Sequence, residues 1–334
     1  MIAVSSAWVW LAADKSAGEE PAGARRIAVL EAADPEFHEL IPRDAEVEVL
    51  AEGFEWSEGP VWWPHGERLL FSDVPRNTVF QWQEGKGIDV FLKPSGYTSL
   101  RTRGGESGSN GLAVDAEGRL VLCQHGDRRV AVWSEGCFRT LADRYQGKPL
   151  NSPNDLVIRS NGDIYFTDPP YGMTPEAAQA EDALGFCGVY RISRDGELTL
   201  LTDRMTRPNG IGFSPDEKTL YVGQSDPAHP IWMAFPVRDD GTLGEGKIFF
   251  DASVWKESKL PGSPDGLKVD SAGNVFATGP GGVNVFRSDG RFLGRIRLSV
   301  PASNCAFGND GSVLYITADM YLLRVRTKTK GLGF

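Results

Sequence analysis

A phrase of about fifteen residues occurs six times in this chain of 334 residues. Each copy begins with Asn, Asp or Glu, usually followed by Gly. It continues as an alternating apolar strand, a glycine-containing turn and a second strand rich in β-branched or aromatic residues. The copies begin at Glu58, Asn110, Asn154, Asn209, Asp265 and Asn304. The repeat therefore predicts six equivalent β units rather than one domain of unrelated elements.

The spacing of these copies predicts the architecture. Successive copies begin 39 to 56 residues apart, and a four-stranded blade of a β-propeller occupies about 40 to 50 residues. Helical periodicity is nearly absent, apart from a helical loop insertion predicted over 174–185 and one short helix over 34–41. We therefore expect an all-β, six-bladed β-propeller. Two separate β domains are the alternative architecture, against which the even register argues.

The expected propeller domain covers residues 46–330, and residues 1–45 form a short N-terminal extension that wraps the outside. Strands near 46–54 and 322–328 are candidates for closing the ring. Closure removes the open sheet edge that would otherwise invite aggregation.

Composition narrows the possible partners. The formal net charge is −10, the pI is about 5.0 and there is no basic run, so nucleic acid and anionic membrane surfaces are not expected to bind. No stretch approaches the roughly 18 apolar residues of a membrane-spanning helix. The four cysteines are scattered without C-x-x-C spacing, which predicts free thiols, although one disulfide remains open. We expect a monomer or a weak dimer.

The first twenty residues contain a short apolar run followed by small residues. This pattern resembles the end of a signal peptide that lacks its basic segment. It predicts a periplasmic or secreted protein, and a cytoplasmic protein is the alternative.

The polar residue that begins each copy is the main functional signal. In a propeller the innermost strands line a central channel, so residues at one register lie at the same height around the axis. A single Asn-Gly is usually only a turn. However, Glu58 is not a turn former, and Asn154, Asn209 and Asp265 each follow a proline that fixes the backbone ahead of them.

Two carboxylates with two or three amide carbonyls, and no soft ligand, suit one hard divalent cation. Ca²⁺ is expected, with Mg²⁺ or Mn²⁺ as alternatives. The four histidines do not have metal-ligand spacing, so a three-histidine zinc site is not expected, although Zn²⁺ can also occupy an oxygen site.

Four motifs in this chain resemble the gluconolactonase/senescence marker protein (regucalcin-like) family, and its bacterial gluconolactonase branch in particular. The resemblance covers about 35–330, nearly the whole chain. The motifs are WSEGPVW around Glu58, SPNDLVIRSNGDIYFTDPPYG from Ser152, RPNGIGFSPDEKTLYV from Arg207 and SPDGLKVDSAGNVFATGPGGV from Ser263.

The resemblance implies a metal-dependent hydrolase that opens sugar (aldono-) lactones to aldonic acids. It carries the metal ligands onto Glu58, Asn209 and Asp265, with Asn154 as a further ligand directly or through water. Asp265 is the expected catalytic residue that orients or deprotonates a water molecule.

The expected substrate-binding residues lie at or just past the ends of inner strands: Asn110, Asn154, His125, Asp168 and Tyr171. A buried hydrogen-bonded role for His125 and a loop-anchoring role for Tyr171 remain open.

Two departures from the family pattern lie close to the expected pocket. Regucalcin-like members have a substrate-binding Arg where this chain has Ser152. The bacterial branch often reads Glu-His-Gly where this chain has Gln124, His125 and Gly126. Substrate preference is therefore open.

Two other functions are compatible with the same fold. One is hydrolysis of organophosphates or other esters, and the other is a non-catalytic binding propeller with a structural metal. A serine nucleophile is not expected because the G-x-S-x-G elbow is absent. GPGGV at Gly279 is not followed by a helical pattern, so a phosphate-binding loop is not expected either.

Overall fold

Antiparallel sheets account for nearly all regular structure in the computed structural model, which describes residues 27–334. The export signal predicted in the first twenty residues lies outside the described residues. Two strands precede the repeats: β1 (Ala28–Ala32) and β2 (Val47–Glu52).

Six sheets form the ring, five of four strands and one of five, and we number them as blades 1 to 6 in the order of their innermost strands along the chain. Blades 1 and 2 contain β3 (Ser57–Trp63), β4 (Arg68–Asp73), β5 (Thr78–Gln83), β6 (Gly87–Leu92), β7 (Ser109–Val114), β8 (Leu120–Gln124), β9 (Arg129–Ser134) and β10 (Cys137–Ala142). A two-stranded ribbon, β11 (Arg144–Tyr145) and β12 (Lys148–Pro149), leads to blade 3.

Blades 3 and 4 contain β13 (Leu156–Ile158), β14 (Ile164–Asp168), β15 (Gly188–Ile192), β16 (Leu198–Thr202), β17 (Pro208–Phe213), β18 (Thr219–Gln224), β19 (Ile231–Pro236) and β20 (Lys247–Asp251). Blades 5 and 6 contain β21 (Leu267–Val269), β22 (Val275–Gly279), β23 (Gly282–Phe286), β24 (Phe292–Leu298), β25 (Asn304–Gly308), β26 (Val313–Ala318) and β27 (Tyr321–Arg326).

The first strands of neighbouring blades contact one another around the ring and enclose the central channel. The six-bladed, all-β prediction is confirmed.

Blade 6 is assembled from both ends of the chain. Strand β2 pairs antiparallel with β27, with Val47 opposite Val325 and Glu52 opposite Tyr321. The predicted ring closure is therefore confirmed, and closure leaves no open edge between the first and last blades.

The described part of the N-terminal extension, residues 27–45, packs on the outside of the ring. Strand β1 adds a fifth strand to blade 5 by pairing with β24. It is followed by α1 (Phe37–Leu40), and Phe37 is fully buried in the apolar core of blades 5 and 6. The helices predicted near 34–41 and 174–185 appear as α1 and as α2 (Pro175–Ala178).

Apolar residues from adjacent blades form the core between them. Between blades 1 and 2, for example, Leu70 and Val79 pack against Leu112, Leu120 and Leu122. Burial of one such side chain contributes about 1.5–3 kcal/mol, so these contacts hold the blades at a fixed angle around the channel. A 3₁₀ helix (Ala252–Ser258) follows β20. No helix among residues 27–334 has the length and apolar character needed to span a membrane. All four cysteines are free thiols.

Candidate active site at one mouth of the channel

We call the Asn, Asp or Glu that begins each repeat its leading residue. In blades 1, 2 and 4 the β pairing is irregular at this residue. A bulge places an extra residue in one strand, bends that strand and redirects a side chain. The pairing of the first and second strands shifts between Glu58 and Val61, between Ser109 and Leu112, and between Pro208 and Ile211. Asn110 and Asn209 therefore lie inside strands and not in turns.

Glycine follows these leading residues because neighbouring inner strands approach closely. A Cβ atom added to Gly210 would lie 2.1 Å from the backbone oxygen of Asp265. One added to Gly111 would lie 2.7 Å from the backbone oxygen of Asn154. Both distances are too short for a Cβ contact, so a side chain at either position would push the ring of leading residues apart.

Side chains at the ends of second strands anchor the loops that enter the site. Asp168, at the end of β14, accepts a hydrogen bond from the backbone N–H of Asn151 at 2.8 Å. At the same place in blade 4, Gln224 accepts from the N–H of Thr206 at 2.9 Å. In blade 1, Asp73 accepts from the backbone just before Glu58. These contacts fix the loop two or three residues before each leading residue.

Five of the six leading residues line one cavity of about 390 Å³ at a mouth of the channel. They are Glu58, Asn110, Asn154, Asn209 and Asp265. The sixth, Asn304, lies beneath the cavity. Its Nδ2 donates to a carboxylate oxygen of Asp155 at 3.2 Å.

The two carboxyl groups among the leading residues lie in surroundings that disfavour their ionised form. Glu58 is only 2% exposed, and burial, reinforced by the nearby charges of Asp155 and Glu106, raises its pKa to about 8. Burial followed by the charge of Glu58 raises the pKa of Asp265 well above its ordinary value. Two carboxyl groups held this way lack a compensating positive charge.

Several oxygen atoms of the ring are enclosed without a partner. Among the described residues, Oδ1 of Asn110, of Asn209 and of Asp265 is buried and accepts no hydrogen bond. A buried acceptor left without a partner costs about 1–3 kcal/mol, so these atoms fit a ligand that supplies positive charge.

The orientation of the Asn209 amide follows from its neighbour. The Ser225 hydroxyl donates its one hydrogen to the backbone oxygen of Pro264 at 2.6 Å. It must therefore accept from Nδ2 of Asn209, which lies 2.8 Å away. This arrangement directs Oδ1 of Asn209 away from Ser225 and leaves it free to bind a cation.

The donor set determines which metal would fit. Two carboxylates and amide carbonyls match the oxygen ligands of Ca²⁺, Mg²⁺ or Mn²⁺. Within residues 27–334 no group of three or more His, Cys, Asp or Glu side chains is placed to hold a metal ion. The candidate site therefore depends on its asparagine oxygens as well as on Glu58 and Asp265.

Tyr171 lies on the cavity wall with the guanidinium of Arg207 over its ring, 5.9 Å from the centroid. Ser152, at the position where the family has an Arg, holds this turn. Its hydroxyl donates to the backbone oxygen of Pro169 at 2.6 Å and accepts from the N–H of Gly172 at 2.9 Å.

Two residues predicted to contact substrate lie behind the wall. His125 is fully buried, with Nε2 3.5 Å from Nδ2 of Asn154. Asp168 is also fully buried, and its carboxylate anchors the loop at Asn151. Neither side chain lines the cavity, and the contact of these two residues with substrate stays a prediction.

Arg207 and Glu106 both line the cavity, and sequence reasoning missed both. Arg207 had a visible signal. It stands two residues before Asn209, the same offset at which the family has an Arg before the residue equivalent to Asn154. Glu106 lies on the loop between β6 and β7 and belongs to no repeat, so no sequence pattern indicated it.

Known proteins share this architecture and much of this sequence. The SMP-30/Gluconolactonase/LRE-like region matches residues 56–319. The gluconolactonase of Zymomonas mobilis is 39% identical over 310 residues, covering 89% of this chain and 85% of that protein. A gluconolactonase structure from Xanthomonas campestris has a TM-score of 0.77 and 36% identity, covering 92% of this chain and 98% of that one.

A more distant structure shares the fold alone. Regucalcin from Agrobacterium tumefaciens, described as a calcium-binding protein, has a TM-score of 0.67 and 19% identity, covering 85% of this chain and 94% of that one. With the family match over residues 56–319 and the Zymomonas relative at 39% identity, the chain belongs to the SMP-30/gluconolactonase/LRE-like family.

Proposed function

We propose that this protein is a lactonase that opens a sugar lactone to its aldonic acid and depends on one divalent cation. The observation that carries the proposal is the convergence of Glu58, Asn209 and Asp265 on one cavity, with unpartnered oxygens on the last two. The relatives named gluconolactonase support a lactone as the substrate class.

Glu58, Asn209 and Asp265 would hold the cation, with Asn154 binding directly or through water. We propose Ca²⁺, because every available donor is a hard oxygen and the set mixes charged and neutral ligands. When bound, such a cation supplies Lewis acidity, which favours negative charge on a lactone carbonyl oxygen.

Asp265 is the proposed general base. Its residue is partly open to the cavity, so its carboxylate can reach a water molecule held there. It takes a proton from the attacking water as the water oxygen bonds to the lactone carbonyl carbon. The ring C–O bond then breaks, and the proton passes to the departing ring oxygen.

Other residues of the wall orient the substrate. Asn110 and Asn154 present amide groups that hydrogen-bond sugar hydroxyls, while Arg207 and Tyr171 face the same cavity and supply donors. These contacts hold the lactone carbonyl at a fixed position relative to Asp265, which lowers the entropic barrier to attack.

A pH-drop assay on glucono-δ-lactone tests the proposal, with the spontaneous hydrolysis rate subtracted. The wild-type protein should lose activity in EDTA and regain it with added Ca²⁺. Glu58→Gln and Asp265→Asn should both be at least about 100-fold less active. Glu52→Gln removes an exposed carboxylate on β2 and should match wild type.

Two outcomes would overturn the proposal. Full activity after chelation would contradict metal dependence. Loss of thermal stability in EDTA with no lactone turned over would indicate a non-catalytic propeller with a structural metal. Parallel assays on a phosphotriester and a simple aryl ester would reveal an esterase or organophosphate hydrolase instead.

A further inference from the structure

The loop at 93–108, between β6 and β7, brings a third carboxylate to the cavity. Glu106 lies on this loop and lines the same wall as Glu58 and Asp265. Its side chain is 38% exposed, whereas Glu58 is enclosed. Glu106 therefore faces the open part of the cavity, where the hydroxyl-bearing side of a substrate would lie.

The loop is tied down at both ends. Oδ1 of Asn77 accepts the backbone N–H groups of Ser95, Gly96 and Tyr97 at 3.0, 2.7 and 3.1 Å. Further along, the Arg103 guanidinium donates to the backbone oxygens of Gly126 and Gly172. These contacts fix the path of the backbone that carries Glu106.

His125 connects Glu106 to the ring of leading residues. Its side chain is fully buried, and Nδ1 lies 3.4 Å from a carboxylate oxygen of Glu106. Nε2 lies 3.5 Å from Nδ2 of Asn154. Within the described residues Nδ1 has no hydrogen-bond partner, and the Glu106 carboxylate is the acidic group that lies next to it.

The backbone of a neighbouring blade holds the imidazole in place. A Cβ atom added to Gly172 would lie 2.4 Å from Cβ of His125, which shows how closely the turn after Tyr171 packs against the histidine. With Nε2 accepting from Asn154, the proton of a neutral imidazole resides on Nδ1 and points at Glu106.

We propose that Glu106 selects the hydroxyl pattern of the lactone, and that His125 is the positioning residue that holds the Glu106 carboxylate on the cavity wall. A carboxylate accepts hydrogen bonds from two neighbouring hydroxyls of a sugar ring. The substrate class is therefore a polyhydroxylated lactone, as opposed to an unsubstituted one. This inference rests on the proposed lactonase function.

The test compares glucono-δ-lactone with δ-valerolactone, which has no hydroxyl groups. Glu106→Gln should lower kcat/KM for gluconolactone by about 10- to 100-fold relative to valerolactone, the loss expected for a hydrogen bond to a charged group. Any change in cation affinity affects both substrates alike and cancels in this ratio. Thr98→Ala loosens the same loop at its contact with Asp127 and should leave the ratio unchanged.

Variants of the histidine separate positioning from folding. His125→Asn keeps an N–H donor at the place of Nδ1 and should retain most of the preference for gluconolactone. His125→Leu has similar bulk without the donor and should lose that preference. Combining His125→Leu with Glu106→Gln should add nothing to Glu106→Gln alone, because both act on one contact.

Binding of 1,5-anhydroglucitol, a ring polyol without a carbonyl group, gives a readout independent of turnover. Calorimetry should show at least about tenfold weaker binding to Glu106→Gln than to wild type. If wild type turns over no lactone but this difference persists, the proposed function fails, and Glu106 is shown only to bind ring hydroxyls. An unchanged gluconolactone-to-valerolactone ratio in Glu106→Gln, or no polyol binding to wild type, overturns the inference.

Discussion

Replacing Glu58 with Gln should stabilise the metal-free protein, and the gain should grow with pH. Burial and the charges of Asp155 and Glu106 raise the pKa of Glu58 from 4.5 to about 8. A carboxyl group with a raised pKa binds its proton more tightly in the folded state than in the unfolded chain. Its contribution to stability is therefore fully present below about pH 4.5 and is lost as the pH rises towards 8.

The raised pKa of Glu58 also determines how strongly this residue destabilises the folded protein at pH 7. At pH 7 the unfolded chain has ionised Glu58 while the folded protein holds it protonated, a gap of 2.5 pH units above the ordinary pKa of 4.5. At about 1.4 kcal/mol for each unit, the penalty at pH 7 is at most about 3–4 kcal/mol. Sharing of charge with Asp265 and relaxation of the site reduce it to about 1–2 kcal/mol.

Glutamine removes this penalty and keeps the local geometry. Its amide oxygen can accept the backbone N–H of Gly59, which donates to a carboxylate oxygen of Glu58 at 2.9 Å. A gain of about 1–2 kcal/mol corresponds to a Tm increase of about 2–3 °C for a domain of about 300 residues.

Thermal unfolding in EDTA measures the effect. The Tm of Glu58→Gln should equal that of wild type at pH 5 and exceed it at pH 8. The matched change Glu52→Gln, at an exposed position on β2, should show no such gain. Added Ca²⁺ should raise the Tm of wild type and leave Glu58→Gln unaffected. If Glu58→Gln were no more stable than wild type at pH 8 in EDTA, ionised Glu58 would not destabilise the folded protein.

Three further changes test how the site is built. Gly210→Ala should destabilise the protein by about 1–3 kcal/mol in chemical denaturation, because its Cβ would lie 2.1 Å from the backbone oxygen of Asp265; wild-type stability would contradict the close approach. Ser225→Ala frees the Asn209 amide to rotate, so calorimetry should show divalent-cation affinity lowered by about 10- to 100-fold; equal affinity would show that the hydroxyl does not orient the amide. Burial raises the pKa of Asp168 to about 7, so wild-type stability should fall between pH 4 and 7, and Asp168→Asn should show a smaller fall over that range with kcat/KM retained. A large loss of kcat/KM would return Asp168 to the substrate site.

The propeller and its closure were predictable because they depend on local patterns repeated along the chain. Alternating apolar residues specify each strand, and the spacing of the copies specifies the blade. The pairing of β2 with β27 was predictable because the last blade would otherwise leave an open sheet edge. The Asn-Gly pairs were harder to interpret, because Asn110-Gly111 looks the same in a turn and in a bulge. Only the approach of the next blade decides between them.

Part of the site was predictable because its leading residues also follow the repeat. Glu58 and Asp265 share a register, and residues at one register meet at the axis of a propeller. Asp168 is the last residue of β14, the second strand of blade 3, and its side chain turns back to the loop at Asn151. Sequence position does not reveal that direction. Glu106 reaches the cavity from a loop outside the repeats, whereas Arg207 stands two residues before a leading residue, a position that carries Ser in blades 3 and 5.

Anomalous diffraction from crystals soaked in Mn²⁺ tests whether the leading residues bind a divalent cation, since it locates the ion independently of activity. The account predicts one peak in the cavity, within about 2.6 Å of oxygen atoms of Glu58, Asn209 and Asp265. Glu58→Gln crystals soaked in the same way should show a much weaker peak. A wild-type cavity without a peak, in crystals that bind Mn²⁺ elsewhere, would contradict the account.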